Sequence, residues 1–143
     1  MALELNLPGG AVTNPVTNCY EVQTGGPAVV NPTIVDRSND FQIIASWNTS
    51  GPYFASLNPA YTWEGEAIFE QMGLGEFGGG PFTATTPYIV TSALQNYSLT
   101  INILPGQVPA GVYRVILKVR FVMSGTTTTI CGFDDLGLVE FYN

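Results

Sequence analysis

Two stretches far apart in the chain alternate in complementary fashion, and their match limits the possible folds more than any other feature. Between Tyr61 and Glu70, the positions Tyr61, Trp63, Gly65, Ala67 and Phe69 alternate with Glu64, Glu66, Ile68 and Glu70. Between Tyr113 and Met123, the apolar set Tyr113, Val115, Leu117, Val119, Phe121 and Met123 alternates with Arg114, Ile116, Lys118 and Arg120. A strand repeats every two residues, so antiparallel pairing sets Glu64 against Arg120, Glu66 against Lys118, Ile68 against Ile116 and Glu70 against Arg114. The same register places Trp63 beside Phe121 and Ala67 beside Leu117, and a slip of one residue would expose the apolar set. Glu64, Glu66, Glu70, Arg114, Lys118 and Arg120 therefore read as a cross-strand charge ladder that fixes register. A catalytic role for the three glutamates is disfavoured, because the basic strand opposite neutralises them.

Composition supports the same class. With 143 residues, 45% apolar content, Gly 16, Pro 10 and only 10% charged residues, the chain suits one all-β domain with a sizeable core and many turns. The net charge of −7 comes from few cations, and three of those sit on one predicted strand face. No basic patch remains for nucleic acid, and no apolar run approaches the roughly 20 residues of a membrane-spanning helix. No signal peptide is visible, since Met1-Ala2-Leu3-Glu4-Leu5 lacks a basic start and an apolar stretch before Pro8.

Residues 1 to 27 hold many prolines and glycines and read as an irregular N-terminal arm, with a short period-two pattern (Leu3, Leu5, Leu7) able to add to a sheet edge of its own domain or of a neighbour. From residue 28 to 143 the pattern predicts about seven strands: 29 to 36, 40 to 48, 61 to 71, 82 to 91, 95 to 104, 112 to 123, and one between 127 and 142. Turn signals separate them, among them Ser38-Asn39-Asp40, Ser50-Gly51-Pro52, Gly78-Gly79-Gly80-Pro81, Pro105-Gly106 and Ser124-Gly125.

The non-local pairing of the third strand with the penultimate one, the buried-Trp position at Trp63, and Pro109-Ala110-Gly111-Val112-Tyr113 as a tyrosine corner resemble the immunoglobulin-like and fibronectin-III-like β-sandwiches. That resemblance implies an antiparallel Greek-key sandwich in which Trp63 lies on strand C and Tyr113 opens strand F. It covers roughly residues 28 to 143, and Cys19 and Cys131 fall outside the positions of an antibody-type bridge.

Cys19 and Cys131 are expected to form a disulfide, whose long loop would contribute about 4–5 kcal/mol in the chain-entropy account; two unrelated buried thiols are the alternative. Asp36, Ser38 and Asp40 place oxygen side chains at the first, third and fifth positions of a loop, the spacing that wraps Ca²⁺. An Asx turn explains the same residues. No other cofactor is implied, and the chain has no histidine to help bind a metal. Trp47, Trp63, Tyr113 and Phe121 are expected in the core, whereas Tyr53 and Phe54, in the loop from Ser50 to Pro59, are the candidates for stacking a sugar ring. The parts of familiar nucleophile, phosphate and zinc sites are missing, so the chain is read as non-enzymatic. The leading expectation is a structural subunit that packs against copies of itself in an extracellular, cell-surface or virion-surface assembly. The alternative is a carbohydrate-binding or calcium-assisted ligand-binding module.

Overall fold

The computed structural model describes residues 2–4, 9–23, 25–73, 77, 79–123 and 126–143. Leu5, Leu7 and Pro8 of the expected edge strand, Gly78, and the expected Ser124-Gly125 turn lie outside the described residues. The strands are β1 (Ala2–Glu4), β2 (Ala11–Val22), β3 (Val29–Val30), β4 (Ile34–Asp36), β5 (Asp40–Ser50), β6 (Thr62–Gln71), β7 (Phe82–Pro87), β8 (Gln95–Ile103), β9 (Gly111–Met123) and β10 (Thr126–Tyr142). A single 3-10 turn, η1 (Pro52–Ala55), follows β5, and there is no α-helix among the described residues.

The strands form two sheets. One runs β7-β6-β9-β10, and β1 and β4 share the outer edge of β10: β1 pairs antiparallel with Cys131 to Phe133, β4 parallel with Glu140 to Tyr142. The second runs β8-β5-β2-β3. Period-two alternation turns one face of each sheet inward. Phe41, Ile43, Ala45 and Trp47 of β5 meet Trp63, Ala67 and Phe69 of β6 and the odd positions from Tyr113 to Phe121 of β9 in one core. Aromatic rings dominate its centre: Trp63 lies 4.7 Å from Phe121, 5.2 Å from Trp47 and 5.8 Å from Tyr97, centroid to centroid. Trp47, Trp63, Tyr113 and Phe121 are all fully buried, as expected.

The β6–β9 register is the one that the alternation requires, with Glu64 opposite Arg120, Glu66 opposite Lys118, Ile68 opposite Ile116, Glu70 opposite Arg114, and Trp63 opposite Phe121. The charges, however, do not form simple rungs. Arg120 holds both Glu64, to which it donates a short hydrogen bond, and Glu66 at 3.7 Å. Lys118 leans over the Phe133 ring, 5.9 Å from its centroid. Arg114 turns to Asp135 of β10 at 3.5 Å. β9 has neighbours on both sides, so its cations divide between β6 and β10.

Two expectations about the N-terminal third fail. Residues 11 to 22 are not an irregular arm but a twelve-residue strand paired along β5. Pro15 is accommodated because the ladder shifts register between Thr13 and Val16, beside Asn14 at φ 52°, and a bulge is where a strand tolerates proline. The strand expected over 29 to 36 is instead broken at Asn31-Pro32-Thr33 into β3 and β4, which join different sheets. Asn31, at φ 50°, accepts a hydrogen bond from the Cys19 amide on its side-chain oxygen at 2.8 Å and fixes the break.

Candidate interaction edge

Cys19 and Cys131 are free, which overturns the expected disulfide. Cys19 points into the core from β2. Cys131 sits on β10 between the buried Ile130 and Gly132 and opposite Arg120, so its side chain faces the outer surface. One thiol thus lies in the core and the other on the outer face of the opposite sheet, and the two are not bonded. Burial, reinforced by the charge of Asp134, pushes the Cys19 thiol up to about 12. This thiol therefore stays protonated and unreactive. Cys131 is expected to alkylate in the native protein at about pH 8 while Cys19 labels only on unfolding; intact mass after timed labelling checks this, and equal rates would contradict the burial of Cys19. Stability drawn from the neutral Cys19 thiol is fully present below the unfolded value near 9.0 and is lost as pH rises towards about 12.

Asp36 ends β4, Ser38 lies in the turn that follows, and Asp40 opens β5. The Asp36 carboxylate accepts hydrogen bonds on one oxygen from the Ser38 amide at 2.9 Å and the Ser38 hydroxyl at 2.8 Å. These bonds, the backbone one foremost, hold its pKa below the usual carboxylate range. Among the described residues, no group of three or more histidine, cysteine, aspartate or glutamate side chains is placed to hold a metal ion. The aromatic pair also departs from expectation. Phe54 is 0% exposed, because η1 folds it into the core, and Tyr53 is half-buried against it at 5.4 Å. Phe54 therefore offers no face to a sugar.

Sequence reasoning missed Glu21, a carboxylate only 5% exposed. It accepts hydrogen bonds from the Asp36 amide at 3.0 Å and the Asn39 side-chain amide at 2.9 Å, and so ties β2 to the β4–β5 turn. Its position two residues after Cys19 on the inward face of β2 was the available signal. Next to it, a cleft of about 260 Å³ between β2 and the β10 edge is lined by Thr17, Cys19, Asn31, Asp134 and Leu138, among others.

The sheet margins differ in how they end. β7 is six residues long, follows Pro81 and closes on Pro87. β10 is covered in part by β1 and β4. β8 has neither protection: its sequence Gln-Asn-Tyr-Ser-Leu-Thr-Ile-Asn-Ile contains no charge and no proline, and it pairs with β5 over nine positions without a bulge. Among the described residues β5 is its one paired neighbour. Tyr97, Leu99, Ile101 and Ile103 fill the core, Asn96, Ser98, Thr100 and Asn102 are exposed, and the backbone groups on the side away from β5 have no strand partner among the described residues, which makes them a template for an added strand. Large apolar side chains crowd its approaches, with Ile89, Val90 and Leu94 exposed before the strand and Leu104 after it.

No protein-family model matches this chain, and no curated protein matches it in sequence.

Proposed function

We propose that this chain is a non-enzymatic structural and interaction module, a subunit that packs against copies of itself in a fibre, adhesive layer or decoration at an extracellular, cell or virion surface. The open β8 edge carries this reading. Proteins that remain single normally blunt such an edge with charge, proline or a bulge, and β8 has none of these. The inward faces of both sheets pack into one hydrophobic core, which leaves edges and outer faces as the surfaces for contact. Scarce lysine supports the surface setting, whereas the free cysteines give it no support.

The sandwich is read further as an immunoglobulin-like Greek key of the fibronectin-III kind. In support, β8, β5 and β2 are neighbours in one layer and β7, β6, β9 and β10 in the other, the order that the A-B-E and C′-C-F-G layers of such a fold would have. The Tyr113 hydroxyl also donates to the Pro109 carbonyl at 2.8 Å, as a tyrosine corner does.

Light scattering after size exclusion, over a range of loading concentrations, tests the functional reading. A mass that rises with concentration is expected. A monomer at every concentration whose melting temperature rises with a glycan or with Ca²⁺ would overturn it in favour of a ligand-binding module.

A further inference from the structure

The β8 edge carries its own complement. The outer-face positions of β8, extended by one at each end, read Leu94, Asn96, Ser98, Thr100, Asn102 and Leu104, a near-palindrome centred on Leu99, and all six are exposed. Leu94 and Leu104 are 63% and 56% exposed, and they flank a strand that among the described residues pairs with β5 alone and without a bulge. We propose that the occupant of this edge is a second copy of the chain, whose β8 pairs antiparallel with the first about a twofold axis at Leu99. The proposal rests on the reading that the chain acts through contacts with its own copies.

In that register Leu94 falls opposite Leu104 of the second copy, Asn96 opposite Asn102, and Ser98 opposite Thr100. Directly opposed residues of an antiparallel pair project to the same face. The outer face therefore gains a leucine pair at each end and uncharged hydrogen-bonding pairs between. On the inner face Tyr97 falls opposite Ile101 and Leu99 opposite itself, so the two cores meet apolar to apolar. Displacing one strand by two residues sets Leu104 against Asn96, or Leu94 against Asn102, and breaks both leucine pairs. The Leu99 register is thus preferred over its neighbours by residue type alone. Joining the two copies makes one continuous sheet through β5-β8 of one and β8-β5 of the other. Such a contact is isologous and closes as a dimer, so any longer assembly needs a different second surface.

Charge placed at Ser98 and Thr100 tests both contact and register. In the variant carrying Ser98→Lys and Thr100→Lys, like charges oppose each other across the axis, and dimer dissociation should strengthen by about tenfold or more. In the variant carrying Ser98→Lys and Thr100→Glu, each lysine faces a glutamate of the other copy, and most of the affinity should return. Both positions are exposed, so far-UV circular dichroism and melting of the monomer should stay close to wild type, which separates lost association from lost folding. Sedimentation velocity over a concentration series supplies the dissociation constants. If the wild type assembles and the double-lysine variant assembles equally well, the β8 contact is wrong while the self-assembly reading stands. If the double-lysine and lysine–glutamate variants are weakened alike, this register is wrong. A wild type monomeric at all concentrations overturns both.

Discussion

Replacing Trp63 by alanine is expected to destabilise the protein by about 3–5 kcal/mol, the loss usual for a fully buried large ring. Trp63 has no exposed surface and touches rings from three other strands, Trp47 of β5, Tyr97 of β8 and Phe121 of β9. Deleting it removes the contact that joins the two sheets at their centre, and four strands that must keep their mutual spacing cannot close on the void. Urea unfolding followed by circular dichroism gives the measurement, with the midpoint falling and the slope preserved. Trp63→Phe should recover a large part of the loss by refilling the site. A loss under about 1 kcal/mol for the alanine variant would mean that the core is not packed as described.

Gly51→Ala is expected to have the next largest effect, by a different mechanism. Gly51 lies at φ 100°, a conformation that a side chain resists, and an added methyl group would strike the Gly9 carbonyl oxygen. That carbonyl accepts a hydrogen bond from the Tyr53 amide at 3.1 Å, which ties η1 to the segment leading into β2 and seats Phe54. Gly106→Ala is the control. Gly106 has φ 79° but nothing within 4 Å of the added atom, so it reports the conformational cost alone, about 1–2 kcal/mol. Gly51→Ala should exceed it by about a further 1–3 kcal/mol, the scale of forced backbone displacement. Equal losses for the two variants would place the Gly9 carbonyl elsewhere.

The parts of this fold that were legible from sequence are those in which side-chain chemistry follows the backbone period without interruption. β6 and β9 carry opposite charges on one face and apolar groups on the other, so alternation alone dictates the register they adopt. β2 was hidden because its inward positions near the end are Thr17, Cys19 and Glu21 rather than a run of aliphatics, and because the bulge beside Pro15 shifts the alternation by one. Phe54 was misplaced because a proline-led loop reads as surface, and nothing local signals that a 3-10 turn will drive its aromatic inward. The cysteine pair failed for a related reason. Which face of a strand a thiol leaves from depends on bulges and partners that the spacing of two cysteines does not encode. The β8 outer face was legible in principle, since the sequence from Leu94 to Leu104 shows the near-palindrome, but its meaning depends on knowing that this strand lies at an edge.

The sharing of the β10 margin between β1 and β4 bears on how the molecule comes to be folded. Ala2 meets Phe133 and Ile34 meets Glu140, so this sheet is completed only by segments separated by most of the chain. Pairings of such long sequence separation form slowly, because a large loop must be ordered before any contact offsets the loss of freedom. During that interval the β5–β8 pair, whose own connection is much shorter, exposes its uncharged margin among chains that have not yet closed their other sheet. Crowded refolding would therefore divert material into aggregates through the same backbone groups, and dilution or a single charge on the β8 outer face should raise the yield of native protein.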